Sequence, residues 1–477
     1  MLELSSVIAG RRVDGGTEAE DISPANPAQT VARVRLADAA AARRAVDAAC
    51  AAFGQWRATP APERGAILHR AANLVDKRAE TIGRDLTREE GKTLAEGIGE
   101  TRRAAAILRY FAGQTLEADG ETYPSHSAMT FLYARREPLG VVTAITPWNF
   151  PIAIPAWKIA PALAYGNTVC WKPAEIVPLT AWHFFEALRD GGLPDGVLNL
   201  VFGRGSEIGD ALVESPGVDA ITFTGSNVVG RSVQLKAIAK GKKVQLELGG
   251  KNPAVVLADA DLVLAAEQVA RGAFLSAGQK CTATSRVVVE QPVLDEFTDL
   301  LVERAASWSV GDPLNEATRV GPLASESQLR TVEGYLATAR ADGGTLLAGG
   351  AAADLGSGYF VRPTVIADLP PNSAVVREEI FGPVAALLPA HSFEEALALA
   401  NDTPYGLTAA VFTRDLRNAL GFAREARAGV VKVNQESAGL EFHVPFGGMK
   451  DSSSGSREQG KAAREFFTQW KTVYVDA

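Results

Sequence analysis

The stretch Ser276–Arg286, SAGQKCTATSR, sets one cysteine among small, polar and cationic residues. A sulfur attacks carbon as the thiolate, and thiol acidity rises beside cations or backbone N–H groups and falls in apolar surroundings. Lys280 and the glycine-flanked turn favour the acidic case, so we read Cys281 as a nucleophile, against the alternative of a small buried residue. Cys50 lies in an alanine-rich helical pattern and Cys170 in the apolar run TVCW, and both are read as core. A thiolate acting on a carbonyl needs a base and a donor for the oxygen that becomes charged. Upstream, VQLELGGKNP ends an alternating strand pattern at Glu247, where a carboxylate held at a strand end can serve as the base. AITPWNFP places Asn149 after another apolar strand and between Pro147 and Pro151, with an amide that can donate to an oxyanion.

The segments PWNFP, WKPAE, FTGS, ELGGK, GQKCTA, EEIFGP and PFGG stand here in that order, and on them the chain resembles the aldehyde dehydrogenase superfamily over nearly its whole length. The resemblance implies NAD(P)-dependent oxidation of an aldehyde to the acid through a thiohemiacetal and a thioester on Cys281. In that reading Glu247 activates the hydrolytic water, Asn149 donates to the oxyanion and Lys158 relays protons. It also implies a cofactor site. Lys172 meets the adenosine ribose, Gly225, Ser226 and Gly230 place the dinucleotide, Thr146 and Trp148 border it, and Glu379 and Phe381 contact the nicotinamide side. Glu175 lies where its charge opposes the extra phosphate of NADP, so NAD is expected, with NADP as the alternative. Trp157 departs from the arginine that some succinate semialdehyde dehydrogenases carry.

These residues need elements to hold them. Short apolar strands GVVTAI, NTVCW, VLNLVF, DAITF and KVQLE alternate with helical segments such as Leu179–Asp190 and Ser206–Glu214, which predicts a parallel, doubly wound sheet. Ligands bind such sheets at the carboxyl ends of the strands, where Asn149, Lys172, Gly225 and Glu247 fall. GRGSEIG has the wrong spacing for a dinucleotide fingerprint and is read as a helix start. Before this sheet, helical patterns run over Asp38–Trp56, Pro62–Glu90 and Leu94–Leu116; Phe111 in the last is read as packing, and the resemblance implies a tunnel-lining role as the alternative. Beyond Lys251, strands PAVVLA, SRVVVE, FVRPTVI, GPVAALL, LTAAVF and GVVKV alternate with helices and form a second α/β domain carrying Cys281. The fold class is thus two doubly wound α/β domains with a small β arm. Residues 1–118 and 138–248 are assigned to the NAD(P)-binding domain, 249–446 to the catalytic domain, and 119–137 with 447–477 to the arm. The tail EFFTQWKTVYV and part of TFLYARR read as edge strands, and the resemblance makes them an oligomerisation arm of a homodimer or homotetramer.

Composition excludes several classes. A chain of 477 residues exceeds the size of one core, and its net charge of −8 argues against a nucleic-acid partner. Three cysteines are too few for a disulfide framework. The run Pro151–Cys170 is broken by Pro155, Lys158, Pro161 and Gly166 and is no membrane span, MLELSSVIAG is no signal peptide, and a cytoplasmic protein is expected. The histidines are scattered, and no metal is expected. Three rivals share the thiol: a coenzyme A-acylating dehydrogenase, a non-catalytic structural protein and a plain thiol hydrolase. Among substrates, NQESAGLEFHVPFGGMKDSSSGSREQG and the tail resemble the branch that oxidises 2,5-dioxovalerate, with succinate semialdehyde and then uncharged aldehydes as alternatives. A carboxylate at the far end of such a substrate calls for an arginine, and Arg103, Arg109 and Arg286 are the candidates.

Overall fold

The computed structural model describes residues 2–13, 16–351, 353 and 355–476. Its first sheet has five central strands in parallel, in the spatial order Lys243–Glu247, Ala220–Thr224, Val141–Ile145, Thr168–Lys172 and Leu198–Leu200. They read as unbroken apolar runs because helices cover both faces, and the central three are buried along nearly their whole length. Short antiparallel strands close the edges, Ser453–Ser454 against Lys243–Glu247 and Val7–Ile8 against Leu198–Leu200. The register pairs Ile145 with Lys172 and Thr224 with Glu247, so the segments that follow these strands leave the sheet together.

The second sheet has seven strands in the order Thr345–Ala348, Thr364–Ala367, Val384–Ala390, Thr284–Glu290, Asn252–Val256, Thr408–Phe412 and Val430–Val433. All its neighbours are parallel except the first pair. The cysteine loop joins the helix Leu262–Phe274 to the strand Thr284–Glu290. Here Ser276, Ala277 and Gly278 have φ of 54°, 51° and 68°, a left-handed run that costs side-chain-bearing residues energy. Gly278 is required sterically as well, since a Cβ there would lie 2.2 Å from the Gly382 carbonyl oxygen.

The structure departs from the sequence reading at three places and adds one helix that reading did not name. The pattern Pro62–Glu90 is two helices, Ala61–Lys77 and Ala79–Glu90, because the backbone breaks at Arg78. The proline-cut run Pro151–Cys170 contains the helix Ala153–Ala164: Pro155 falls in its first turn, and Pro161 is carried within it. FVRPTVI is a strand only over Thr364–Ala367. The tail begins as a helical turn, Ala463–Phe467, before the strand Thr468–Asp476 pairs antiparallel with Thr130–Pro138, which in turn pairs with Gly120–Tyr123. Among the described residues, no helix is long and apolar enough to cross a membrane, and no cluster of His, Cys, Asp or Glu could hold a metal ion.

One buried side chain ties several of these parts together. Asn167 accepts from the backbone N–H of Leu139 (2.8 Å) and Gly140 (3.1 Å) and donates to the carbonyls of Ala162 (3.1 Å) and Phe467 (2.9 Å). It thereby fixes the entry to the strand that leads to Asn149. Asn167→Ala strands these groups in the interior and is expected to cost about 2–4 kcal/mol in urea unfolding at unchanged m-value. A loss below about 0.5 kcal/mol contradicts the role.

Candidate active site

A cavity of about 690 Å³ opens where the two sheets face each other, and Cys281, Glu247, Trp157, Phe446 and Glu458 are among its lining residues. Asn149 is buried beside the cysteine loop, its Nδ2 donating to the Gln279 carbonyl at 3.0 Å. An amide nitrogen carries two hydrogens, so one remains for another acceptor. The Cys281 carbonyl accepts from Asn252 Nδ2 at 2.7 Å, which pins the backbone of the nucleophile. Glu247 ends its strand with Oε2 accepting from Ser453 Oγ at 2.7 Å. Three lining residues keep a buried oxygen without a hydrogen-bond partner among the described residues: Oε1 of Glu247, Oε2 of Glu458 and the hydroxyl of Thr224. Lys158, fully buried, is paired with Glu458 and donates to Thr222 Oγ1 at 2.9 Å.

Electrostatics drive the acid and the thiol the same way. Burial pushes the Glu247 carboxyl well above its ordinary range, and the Glu458 charge adds to this against the opposing Ser453 hydroxyl and Lys158. Cys281 is partly exposed to the cavity yet enclosed by protein; burial pushes its thiol far up, with Glu379 and Glu247 adding to the shift. The expected acidification by Lys280 is therefore corrected. Its Nζ turns away to the Arg271 carbonyl at 3.3 Å, and burial lowers the ammonium's own pKa. Burial thus favours the thiol over the thiolate, and attack by sulfur calls for a base.

The residues expected at the cofactor gather at the carboxyl edge of the first sheet. Lys172 Nζ donates to Glu175 at 3.4 Å, and Glu175 also accepts from the Gly205 N–H at 2.7 Å, at the start of the helix Gly205–Val213. Ser226 caps the helix Asn227–Ala239, accepting from the Val229 N–H. A Cβ at Gly225 would lie 2.6 Å from the Phe223 ring and one at Gly230 would lie 2.4 Å from Leu248, so both glycines are fixed by packing under this helix start. Thr146 is occupied structurally, its hydroxyl accepting from Trp171 Nε1 at 2.9 Å. The Trp148 and Phe381 rings meet edge to face at 5.4 Å. Glu379 is folded onto the glycine pair, accepting from the Gly250 N–H at 2.9 Å, and burial raises its pKa to about 7.

Of the three candidate arginines, one lines the cavity. Arg109 lies on the far side with Asp76 (2.7 Å), and Arg286 is buried under carbonyls including that of Ala400 (2.8 Å); Arg103 faces the cavity. Phe111 is core packing and does not line it. Sequence reasoning missed Glu458 and Ser453. Both sit in a Ser/Gly-rich tract that reads as surface loop, and only the pairing of Ser453–Ser454 with Lys243–Glu247 carries them inward.

The chain belongs to the aldehyde dehydrogenase family, which it matches over residues 12–473, and is an oxidoreductase. It is 47% identical over 456 residues to the alpha-ketoglutaric semialdehyde dehydrogenase of Bacillus subtilis, covering 95% of this chain and 93% of that one. It is 41% identical to the 2,5-dioxopentanoate dehydrogenase of Saccharolobus solfataricus, covering 96% of each. The crystal structure of betaine aldehyde dehydrogenase from Staphylococcus aureus in complex with NAD+ superposes with a TM-score of 0.96 at 35% identity, covering 99% of this chain and 95% of that one.

The raised thiol pKa makes a prediction for the protein alone. Below the pKa, thiolate and hence the alkylation rate by iodoacetamide rise about tenfold per pH unit. Cys281 is expected to keep rising beyond pH 9, read by peptide mass spectrometry, whereas a plateau below about pH 8 contradicts a thiol held neutral by burial.

Proposed function

We propose that the chain oxidises a dicarboxylic semialdehyde, 2,5-dioxopentanoate, to the corresponding acid with NAD as electron acceptor and Cys281 as nucleophile. The observation that carries the reading is that Cys281 and the unpartnered Glu247 Oε1 line one cavity, with Asn149 hydrogen-bonded to the cysteine loop beside it. The relatives' names supply the substrate, and Glu175 beside Lys172 favours the dinucleotide without a further phosphate. Succinate semialdehyde and uncharged aldehydes are the alternatives; coenzyme A acylation is disfavoured by a carboxylate placed to activate water.

Cys281 Sγ adds to the aldehyde carbon as its proton passes to Glu247. The oxyanion accepts from Asn149 Nδ2, a contact worth about 3 kcal/mol in the transition state. Lys172, the helix start at Ser226–Asn227 and the Glu379 carboxylate are a donor and acceptor set that fits a dinucleotide, and the packing at Gly225 and Gly230 holds that helix start in place. When bound, the nucleotide supplies the two-electron acceptor that makes the Cys281 adduct a thioester. Glu247 Oε1 then takes a proton from the water that splits the thioester. Glu458, paired with Lys158, gives that proton an outlet.

The proposed division is 1–118 and 138–248 for the cofactor, 249–446 for the nucleophile and 119–137 with 447–477 for the arm; the two large sheets and the pairing of Thr130–Pro138 with Thr468–Asp476 support it, while Ser453–Ser454 in the first sheet and Glu458 at the cavity depart from it. Phe131, Trp470 and Tyr474 on the arm are exposed, which supports association with further copies as a dimer or tetramer.

The test is kcat/KM with NAD for 2,5-dioxopentanoate, succinate semialdehyde, betaine aldehyde and propanal. The dicarboxylic semialdehydes are expected to lead by at least about tenfold, or about 1.4 kcal/mol of transition-state binding. Equal turnover of propanal sinks the substrate class, and a dominant acyl-coenzyme A product sinks the hydrolytic half of the mechanism.

A further inference from the structure

We infer that Arg103 is the residue that binds the carboxylate at the far end of the substrate; the inference rests on the semialdehyde reading above and names the group that selects for it. The helix Leu94–Gln114 turns one stripe to the cavity, Glu96, Gly99, Glu100 and Arg103, the i, i+3, i+4, i+7 spacing of a single face. Glu96 marks its inner end, because its Oε1 accepts from the N–H (2.8 Å) and hydroxyl (2.9 Å) of Ser276 in the cysteine loop. Arg103 lies seven residues farther on, about 10.5 Å along the axis. Long side chains on a helix lean toward its N-terminus, so this guanidinium leans back toward the cysteine. The residue one turn before it is Gly99, where even a Cβ would meet nothing within 4 Å, so the way between is open.

The other cations at this cavity are committed or solvated. Lys92 is held by Glu100 Oε2 and the Asn149 carbonyl, each at 2.7 Å, and Lys280 by the Arg271 carbonyl. Arg102 is exposed, where water screens its charge. Arg103 is half-buried, and among the described residues it makes no ion pair or hydrogen bond. Burial already pulls its pKa down, with Glu441 and Glu100 opposing. A partly desolvated guanidinium with unused donors in a fork is the partner that a carboxylate completes, through two parallel hydrogen bonds.

The experiment compares wild type, Arg103→Gln, Arg103→Lys and Arg102→Gln on 2,5-dioxopentanoate and on propanal. Arg103→Gln is expected to lower kcat/KM for the semialdehyde at least about thirtyfold, mostly through KM, and to change propanal turnover less than about threefold. Arg103→Lys, a point charge without the fork, is expected to fall between, and Arg102→Gln to keep the wild-type ratio. Propanal turnover also reports folding, so equal loss on both substrates, or an unchanged semialdehyde preference in Arg103→Gln, overturns the assignment while leaving the semialdehyde reading intact. A wild type without semialdehyde preference overturns both.

Discussion

The geometry of the site depends on a buried ion cluster at the start of the helix Leu94–Gln114. Lys92, 3% exposed, donates to Glu100 and to the Asn149 carbonyl and lies 4.0 Å over the Phe150 ring. Glu100 also accepts from the Ile152 and Ala153 N–H groups, both at 3.1 Å. Glu96 closes a capping box with Thr93 through one oxygen and grips Ser276 through the other. One helix start thus sets the oxyanion donor on the first sheet and the cysteine loop on the second. Removing either partner of a buried pair leaves an uncompensated charge, which typically costs about 3–5 kcal/mol, so the arrangement has little freedom to drift. The left-handed run at Ser276–Gly278 persists within this frame: its strain is local, and the bonds from Glu96 oppose its release.

Much of this was legible in the sequence, for physical reasons. Strands buried on both faces are continuous apolar runs, and the motif residues stand where those runs end, so the parallel sheets and the positions of Asn149, Lys172 and Glu247 could be read directly. What could not be read depends on partners far along the chain. The helix Ala153–Ala164 was hidden by its prolines, and the burial of Lys158 depends on Glu458, three hundred residues on. Side-chain direction was equally hidden. Lys280 adjoins the nucleophile in sequence but points to Arg271, and Arg109 and Arg286 have surface and core partners that no spacing reveals.

Burial raises the pKa of the Cys281 thiol and of the Glu247 carboxyl alike, which gives the pair a common logic. Neither group carries charge comfortably in this enclosure, so the proton that leaves sulfur is best accepted nearby. Glu247 then has to lose its proton again before it can activate water. In the proposed mechanism, the buried pair of Lys158 with Glu458, which lines the same cavity, is the outlet for that proton.

The central claim, a thioester on Cys281 cleaved with the help of Glu247, is tested most directly by trapping it. Glu247→Gln at about pH 10, where hydroxide forms thiolate without the carboxylate, mixed with NAD and 2,5-dioxopentanoate, quenched in acid and digested, is expected to show the acyl group on the Cys281 peptide with a matching burst of NADH. NADH formed without that adduct, or an adduct on another residue, contradicts it.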